Sequence, residues 1–554
     1  MASRLAIYHP AGRLGLTENP FGKDMANLEL FRALARHGGF ERLDFLTHVA
    51  VSPGDVAKGL EGGLAPGTRL GASGILNQQA ASEAGALLRG HADLRELAWL
   101  RRRSVGDRGY SLMGLVHTLA PPAMRTETAL HAVAPVYPWD ALICTSPAVQ
   151  DHLTGMFDQW TDYLAERCGG APPPRPRLPL IPLGVDGGAF VAMADRPEAR
   201  AGLRAELGVG EDEVLVLWVG RLSYFEKAFP QPMFRAVEEA AQQAGKRMHF
   251  ALAGWFPGGD KERALYQSAA TAYAPSVSVH FLDGNDRPLL GRLWAGADIF
   301  LSLIDNIQET FGITPLEAMA AGLPVVASHW DGYRYTMRDG VEAFLIPTLG
   351  GPEGLLGRAI GARHTLLIES YQSFVGTVAQ HTAVDVGRAA KAIADLAASP
   401  ELRRTMGAAG RERIRTAFDW PVVVAQYKEL IDELTAVRLA SADIVSRHPM
   451  DPVKGDPFRD FAGFATAVMD LRTVLSVRSG VGAGDLDRAQ AQPLDMAYGF
   501  WRAPLPQARE ALDFIASRGS ATVQAVLERA PAPDRARLQL SLVWMCKLGL
   551  LDWR

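Results

Sequence analysis

The 554-residue sequence predicts an α/β protein: two doubly wound, Rossmann-like units facing each other across a cleft, followed by a mainly helical module. Three observations carry this. Short apolar runs alternate with helix-period segments in two successive series; a proline-rich stretch, residues 171–179, lies near the seam between them; and beyond residue 458 the apolar spacing is mostly helical.

In the first series, residues 5–8, 43–47, 112–117, 141–144 and 178–182 read as strands, and residues 27–37 and 147–165 carry helical spacing. Strands separated by helices argue for a parallel sheet covered on both faces. Residues 50–110 fit that alternation poorly and read as an elaboration with glycine-rich turns. The second series opens with the run 214–219 and continues with strands at 249–253, 277–282, 299–303, 324–327 and 343–346. Helices are expected over 230–244, 261–272, 288–295 and 314–321. From 387 to 436 the pattern is helical, with Pro421 at a helix start, where its missing N–H is harmless. Proline and charge over 448–458 mark a linker, and 508–518, 520–529 and 536–551 are three further helical stretches. The expected organisation is a first unit over 1–190, a second over 191–400, helices over 401–447 packing back across both, and an appendage over 458–554, loosely of winged-helix type.

Composition bounds the function. Hydrophobic residues make up 48% and charged residues 21%, ordinary for a soluble globular chain. The net charge of −4 and the lack of a long basic run argue against a whole-chain grip on nucleic acid, leaving local patches such as Arg101-Arg102-Arg103. In the tail, Glu528, Asp534 and Asp552 dilute the basic residues, so protein or peptide docking, or simple stabilisation, is the stronger reading there. Three scattered cysteines, Cys144, Cys168 and Cys546, give neither a disulfide framework nor zinc spacing, and a reducing cytoplasm is the expected setting. The N-terminal apolar run is too short for a signal peptide and no stretch of about 20 apolar residues offers a span; peripheral membrane contact stays open.

The chemistry concentrates in residues 304–317. An apolar strand ends near Leu303, a polar loop follows, and Thr314-Pro315 begins a helix. Gly312 permits a ligand to approach the backbone, and the free N–H groups of the helix start favour an anion such as phosphate. Glu309 precedes this turn and Glu317 lies one helical turn beyond it, so each can accept hydrogen bonds from hydroxyls either side of a bound phosphate. A lone glutamate at such a place is ordinarily part of a capped helix. Upstream, Arg221 follows Val219-Gly220, and Lys227 lies six residues later; two cations at a strand end can neutralise a departing diphosphate. Alone, they would read as surface charges. Gly22 ends a glycine-containing loop after the first strand, and His117 ends the strand 112–117; taken singly, both residue types are more often structural.

Glu309 to Glu317, with the following Ala318-Met319-Ala320-Ala321-Gly322-Leu323-Pro324, resembles the E-x7-E signature of the retaining GT-B glycosyltransferases of family 4. The resemblance implies roles. Glu309 would contact hydroxyls of the transferred sugar, backbone amides from Phe311, Gly312, Ile313 and Thr314 would hold the diphosphate and sugar, and Glu317 would bind the ribose. Arg221 and Lys227 would grip the diphosphate, although Ala228 stands where the family has glycine. Gly22 resembles the family's glycine loop, and His117 its histidine facing the donor sugar. The stretch 180–186 resembles the seam motif, with Leu183 replacing the usual asparagine, and 283–286 resembles the loop near the nucleotide base. Residues 349–385 look like an insertion relative to a plain member; Tyr371, Gln372 and His381 there are candidates for acceptor contact, although a solvated helical excursion is the stronger reading.

The reading is therefore a retaining, metal-independent glycosyltransferase that needs no cofactor and uses a nucleotide-diphosphate sugar as donor. The acceptor (glycan, lipid, small molecule or peptide) is not legible. Two alternatives stand beside it: another GT-B enzyme, a phosphorylase or sugar-nucleotide epimerase, and a non-catalytic sugar-nucleotide sensor with an output tail. The pyridoxal-lysine motif of phosphorylases is not found.

Overall fold

A computed structural model describes residues 3–11, 14–15, 22–61 and 63–554, which divide into two compact units, 1–450 and 451–554. The first unit holds two six-stranded sheets. One comprises β1 (Arg4–Tyr8), β2 (Arg42–Thr47), β3 (Arg69–Gly74), β4 (Ala86–Arg89), β5 (Ser111–Leu115) and β6 (Ala141–Ile143), in the order β3-β2-β1-β4-β5-β6. The other comprises β7 (Val214–Val219), β8 (Met248–Gly254), β9 (Ser278–Asp283), β10 (Ile299–Ser302), β11 (Val325–Ser328) and β12 (Ala343–Ile346), in the order β12-β11-β10-β7-β8-β9. All neighbouring strands run parallel. Renumbered from β7, the second order equals the first, so each sheet reverses direction beside its first strand. Ligands of such folds bind outside the carboxyl ends of the strands at that reversal.

The strands read as unbroken apolar runs because helices cover both faces. Leu215, Val216 and Leu217 of β7, Phe250, Ala251 and Leu252 of β8, and Phe300 and Leu301 of β10 have no exposed surface. Helix Pro230–Ala244 buries Met233, Phe234, Val237 and Ala240 against this sheet and packs on helix Val386–Ala398. Pro230 sits in the first turn, and Gly245 closes the helix in the left-handed conformation.

Residues 50–110 are not an elaboration. They supply β3, β4 and three helices, and β4 is a central strand paired with both β1 and β5. The four-residue β4 is too short to show a pattern, and β3 is an edge strand whose sequence RLGASG is interrupted by two glycines and two polar residues. Residues 178–182 form no strand of their own; the chain there continues the sheet edge through single parallel bridges, Ala141 to Arg177 and Cys144 to Leu180. The Arg101–Arg103 run is not a basic patch either. Arg101 is fully buried and forks onto Asp140 at 2.6 and 2.9 Å, while donating to the carbonyls of Tyr110 and Pro135. Arg102 engages Asp107, Tyr137 Oη and Ser446 Oγ.

After helix Pro400–Arg413 and the π-helical turn Ile414–Phe418, the long helix Trp420–Ala440 returns to the first sheet. It packs along helix Gly22–His37, and its Arg438 donates to the carbonyls of Gly85 and Arg108 and to Ser111 Oγ. Gly184 permits the crossing, since a Cβ there would stand 2.4 Å from the Trp420 ring.

The second unit contains helices Leu505–Arg518, Val523–Leu527 and Arg535–Lys547 beside a three-stranded antiparallel sheet, with Val474–Val477 between Ala521–Thr522 and Leu551–Trp553. Leu475, Leu512, Ile515, Val523, Leu542, Met545 and Leu551 form its core. Strands of two to four residues leave no alternation to read, which is why the sequence pattern registered helices only. Among the described residues, no helix is long and apolar enough to cross a membrane.

The Arg101–Asp140 pair makes a checkable claim about stability. Asp140 also accepts from the backbone N–H groups of Leu112 and Tyr137, so Asp140→Ala strands a buried guanidinium and frees two amides. The expected loss is about 3–5 kcal/mol, read as a fall in the urea midpoint, and the double change Arg101→Met/Asp140→Leu should recover much of it. A single variant as stable as wild type would contradict the assignment.

Candidate active site

The two sheets contribute to one cavity of about 220 Å³. From the second sheet come the ends of β7 and β10. Past Ser302 the chain leaves β10 in a loop organised by the fully buried Asn306: its amide donates to Phe225 O at 2.7 Å, its Oδ1 accepts from Gln308 N, and its carbonyl accepts from Trp330 Nε1. The loop ends at Gly312, whose φ of +85° turns the chain into helix Ile313–Ala321. Glycine is required there on two counts: the left-handed backbone, and a Cβ that would lie 1.8 Å from the Tyr333 ring. Tyr333 is itself buried and shares a 3.0 Å hydrogen bond with Ser302.

Glu309 stands before this helix start, only slightly exposed, with its Oε2 3.0 Å from Lys227 Nζ. Burial opposes the charged form, yet Lys227 and the backbone N–H groups of Phe311 and Gly312 outweigh it and hold the carboxyl below its ordinary pKa. Arg221 is paired as well, with Glu226 at 2.5 Å. Both cations therefore face the cavity with internal counter-ions, a feature that spacing alone gave no reason to expect for Glu226.

From the first sheet come Gly22, Lys23 and Ala26 at the start of helix Gly22–His37, and His117 and Thr118 beyond β5. Gly22 has nothing within 4 Å of where a Cβ would be. His117 Nε2 lies 2.9 Å from Asn27 Oδ1, whose amide N–H donates to Gly90 O and so fixes which end of the amide meets the ring. Burial, assisted by His91 and Lys23, lowers the His117 pKa to about 4, and the imidazole is neutral at pH 7. Polar contacts join the two sheets at this point: Thr310 Oγ1 donates to His117 O at 2.7 Å, Thr118 Oγ1 to Gln308 O at 3.3 Å, and Ser146 Oγ to Asp331 at 2.9 Å.

The cavity thus gathers Gly22, His117, Arg221, Lys227, Glu309, Phe311, Gly312, Ile313 and Thr314. Glu317 is half-buried outside its lining, where the charges of Arg287 and Glu29 act on it. The rest of the glycine-loop reading, Gly12 and residues 19–21, lies outside the described residues. The sequence carries no distinguishing signal for Glu226 or Tyr333, and Asn306, although within residues 304–317, resembles any polar loop residue. The insertion also differs from expectation. Helix Tyr371–Gln380 is docked, not solvated: Val375 is fully buried with Phe374 against Ala120, and Tyr371 Oη donates to Gln308 Oε1 at 2.7 Å. His381 caps its own helix through Thr377 O and makes no cavity contact.

Residues 200–353 match the family model described as "Glycosyl transferases group 1". Similar curated proteins include D-inositol 3-phosphate glycosyltransferases of Geodermatophilus obscurus, 30% identical over 215 residues, and of Mycobacteroides abscessus, 29% identical over 290. These alignments take in 38% and 50% of this chain and 46% and 58% of the relatives, so the chain spans about half the length of each. Solved structures with a similar chain trace include sucrose-phosphate synthase of Thermosynechococcus elongatus (20% identity, TM-score 0.47, 78% of this chain and 99% of that one) and a glycosyltransferase of Rickettsia africae (13%, 0.49, 79% and 99%).

The environment of Glu317 generates a pH prediction. Burial pushes its carboxyl up from 4.5 to about 7, Arg287 opposing and Glu29 adding to the rise. The folded chain then holds this proton more tightly than the unfolded one, so the group costs stability as pH climbs from about 4.5 past 7. Glu317→Gln should raise the thermal midpoint of the ligand-free protein at pH 8, by the equivalent of about 1–3 kcal/mol, with the two proteins converging near pH 4.5. Parallel pH profiles would exclude this environment for Glu317.

Proposed function

We propose that this chain is a glycosyltransferase that moves a sugar from a nucleoside-diphosphate sugar to an acceptor, with retention at the anomeric carbon. The observation that supports it most directly is the convergence in one cavity of Arg221, Lys227, Glu309 and the N-terminus of helix Ile313–Ala321. The family match over 200–353 covers these same residues.

A diphosphate entering this cavity meets the first turn of helix Ile313–Ala321, whose N-terminus favours an anion by both hydrogen bonding and dipole. It also competes for Lys227 and Arg221 with their internal partners. Once Lys227 turns to phosphate, the Glu309 carboxylate is free to accept hydrogen bonds from sugar hydroxyls and to offset positive charge developing on the sugar ring. Neutral His117, on the facing sheet, can hydrogen-bond the sugar without drawing the phosphate away. As the anomeric C–O bond breaks, its electron pair leaves with the diphosphate. The acceptor oxygen bonds to the anomeric carbon from the same face, and its proton passes to the departing phosphate oxygen. The growing charge on that oxygen falls to the two cations and the helix amides, arranged before the reaction begins. In this reading the residues do the charge work without a resident metal or cofactor, and Glu317 meets the ribose.

A panel of nucleotides and sugar nucleotides, followed by product detection with the stabilising donor, tests the proposal. A donor should raise the thermal midpoint by mass action. Lys227→Ala and Arg221→Ala should each weaken donor binding about tenfold or more. Glu309→Gln should retain nucleotide binding but lose about 10²–10³ in turnover. Near-normal kinetics in all three variants, or a bound donor that is never cleaved, would sink the transferase reading.

A further inference from the structure

A second hollow, of about 440 Å³, lies beside the first, with Thr310 in the wall of both. Its volume suits a small ligand. Helix Pro122–Ala129 contributes Arg125, helix Pro147–Cys168 contributes His152, and the chain following β11 contributes His329, Asp331 and Arg334. Four basic side chains therefore face a single acid.

The two arginines here carry no internal counter-ion among the described residues, unlike several others of the unit. Arg101, Arg102, Arg204 and Arg221 are each tied to a carboxylate. Among the described residues, the side chains of Arg125 and Arg334 have neither an ion pair nor a hydrogen bond. Arg334 is exposed and lies over the Tyr335 ring, while the Arg125 Nε, like those of Arg89, Arg101 and Arg411, is buried without an acceptor. Folded proteins rarely leave a buried guanidinium N–H unsatisfied, because its lost hydration is not replaced. A ligand that brings acceptor oxygens of its own completes the arrangement. The lone acid is equally particular. Asp331 holds a left-handed backbone, φ +35°, which costs of order 1–3 kcal/mol in a residue with a Cβ. Its carboxyl is fixed by Ser146 Oγ at 2.9 Å from the opposite sheet, and it lies close enough for Glu309 to act on it electrostatically. Burial raises its pKa to about 6, so it is anionic at neutral pH yet readily shares a proton.

We propose that this hollow is the acceptor subsite, and that it takes a small hydroxylated molecule bearing an anionic group, phosphate or carboxylate. Arg125 and Arg334 grip the anion, and Asp331 accepts a hydrogen bond from the hydroxyl turned toward the donor. The proposal rests on the transferase reading for its use of two adjoining cavities, but its ligand chemistry stands on the hollow itself.

The test uses the full chain and three probes of one shape: glucose, glucose 6-phosphate and glucuronate, titrated calorimetrically with and without bound nucleotide. At least one anionic hexose should bind about tenfold or more tighter than glucose. A preference for glucose 6-phosphate identifies phosphate as the recognised group, and a preference for glucuronate identifies carboxylate. Arg125→Gln and Arg334→Gln should each weaken the anion about tenfold while nucleotide affinity stays at the wild-type value, and Arg125→Lys should restore part of the loss. Equal binding of all three hexoses, no binding of either anion, or anion binding indifferent to both substitutions would overturn the proposal. Failure of the transferase reading looks different: no sugar nucleotide binds, whatever the anion titration without nucleotide gives.

Discussion

The ion pair between Lys227 and Glu309 is the interaction around which the first unit is arranged. A carboxylate this enclosed survives in charged form only with compensation, and it has three sources of it: one ammonium and two backbone amides at a helix start. Each source comes from a different constraint on the chain. Lys227 is carried by the turn after β7; the amides depend on Gly312 adopting a conformation that only glycine takes easily; and the Tyr333 ring, hydrogen-bonded to Ser302, packs where any Cβ at 312 would collide with it. The pair lets the site carry concentrated charge of both signs at little net cost. In the proposed function, an arriving diphosphate exchanges with Glu309 for Lys227, so that binding the donor and releasing the carboxylate become one event.

The facing sheet supplies groups of a different character. Its strand ends give neutral His117, the short helix start at Gly22, and side-chain hydroxyls that reach across to backbone carbonyls. Charges of both signs thus sit paired on one wall, while the other carries Lys23 among uncharged hydrogen-bonding groups. The docked insertion helix adds to the same edge, since Tyr371 braces Gln308, next to Glu309.

Much of the two-sheet architecture was legible because parallel strands buried on both faces leave apolar runs that survive any change of neighbour, as β7, β8 and β10 do. The segment from Glu309 to Glu317 stood out through its resemblance to a family signature, and helix Ile313–Ala321 starts next to Thr314-Pro315, where the sequence placed a helix start. What escaped was whatever depends on partners distant in sequence. β4 is four residues long and becomes a central strand only by fitting between β1 and β5. Arg101 acquires meaning only through Asp140, 39 positions away. Asn306 looked like loop filler until its three hydrogen bonds placed Phe225 and Trp330 around it. The insertion read as solvated because helix Leu355–Thr365 exposes its leucines, whereas the helix after it turns Phe374 and Val375 inward.

The return crossing at Trp420 has a mechanical consequence. The chain passes between the two sheets once near residues 183–187 and again at 414–420, and the passages are bonded to each other: Val185 N–H to Phe418 O, Trp420 N–H to Val185 O, and Gly187 N–H to Asp419 Oδ1. A single strand between two bodies would act as a swivel. Two strands laced side by side act as a strap hinge, which bends about one axis and resists torsion. Twisting one sheet against the other would break these bonds, so the laced passages fix the orientation in which His117 and Gly22 stand opposite Glu309.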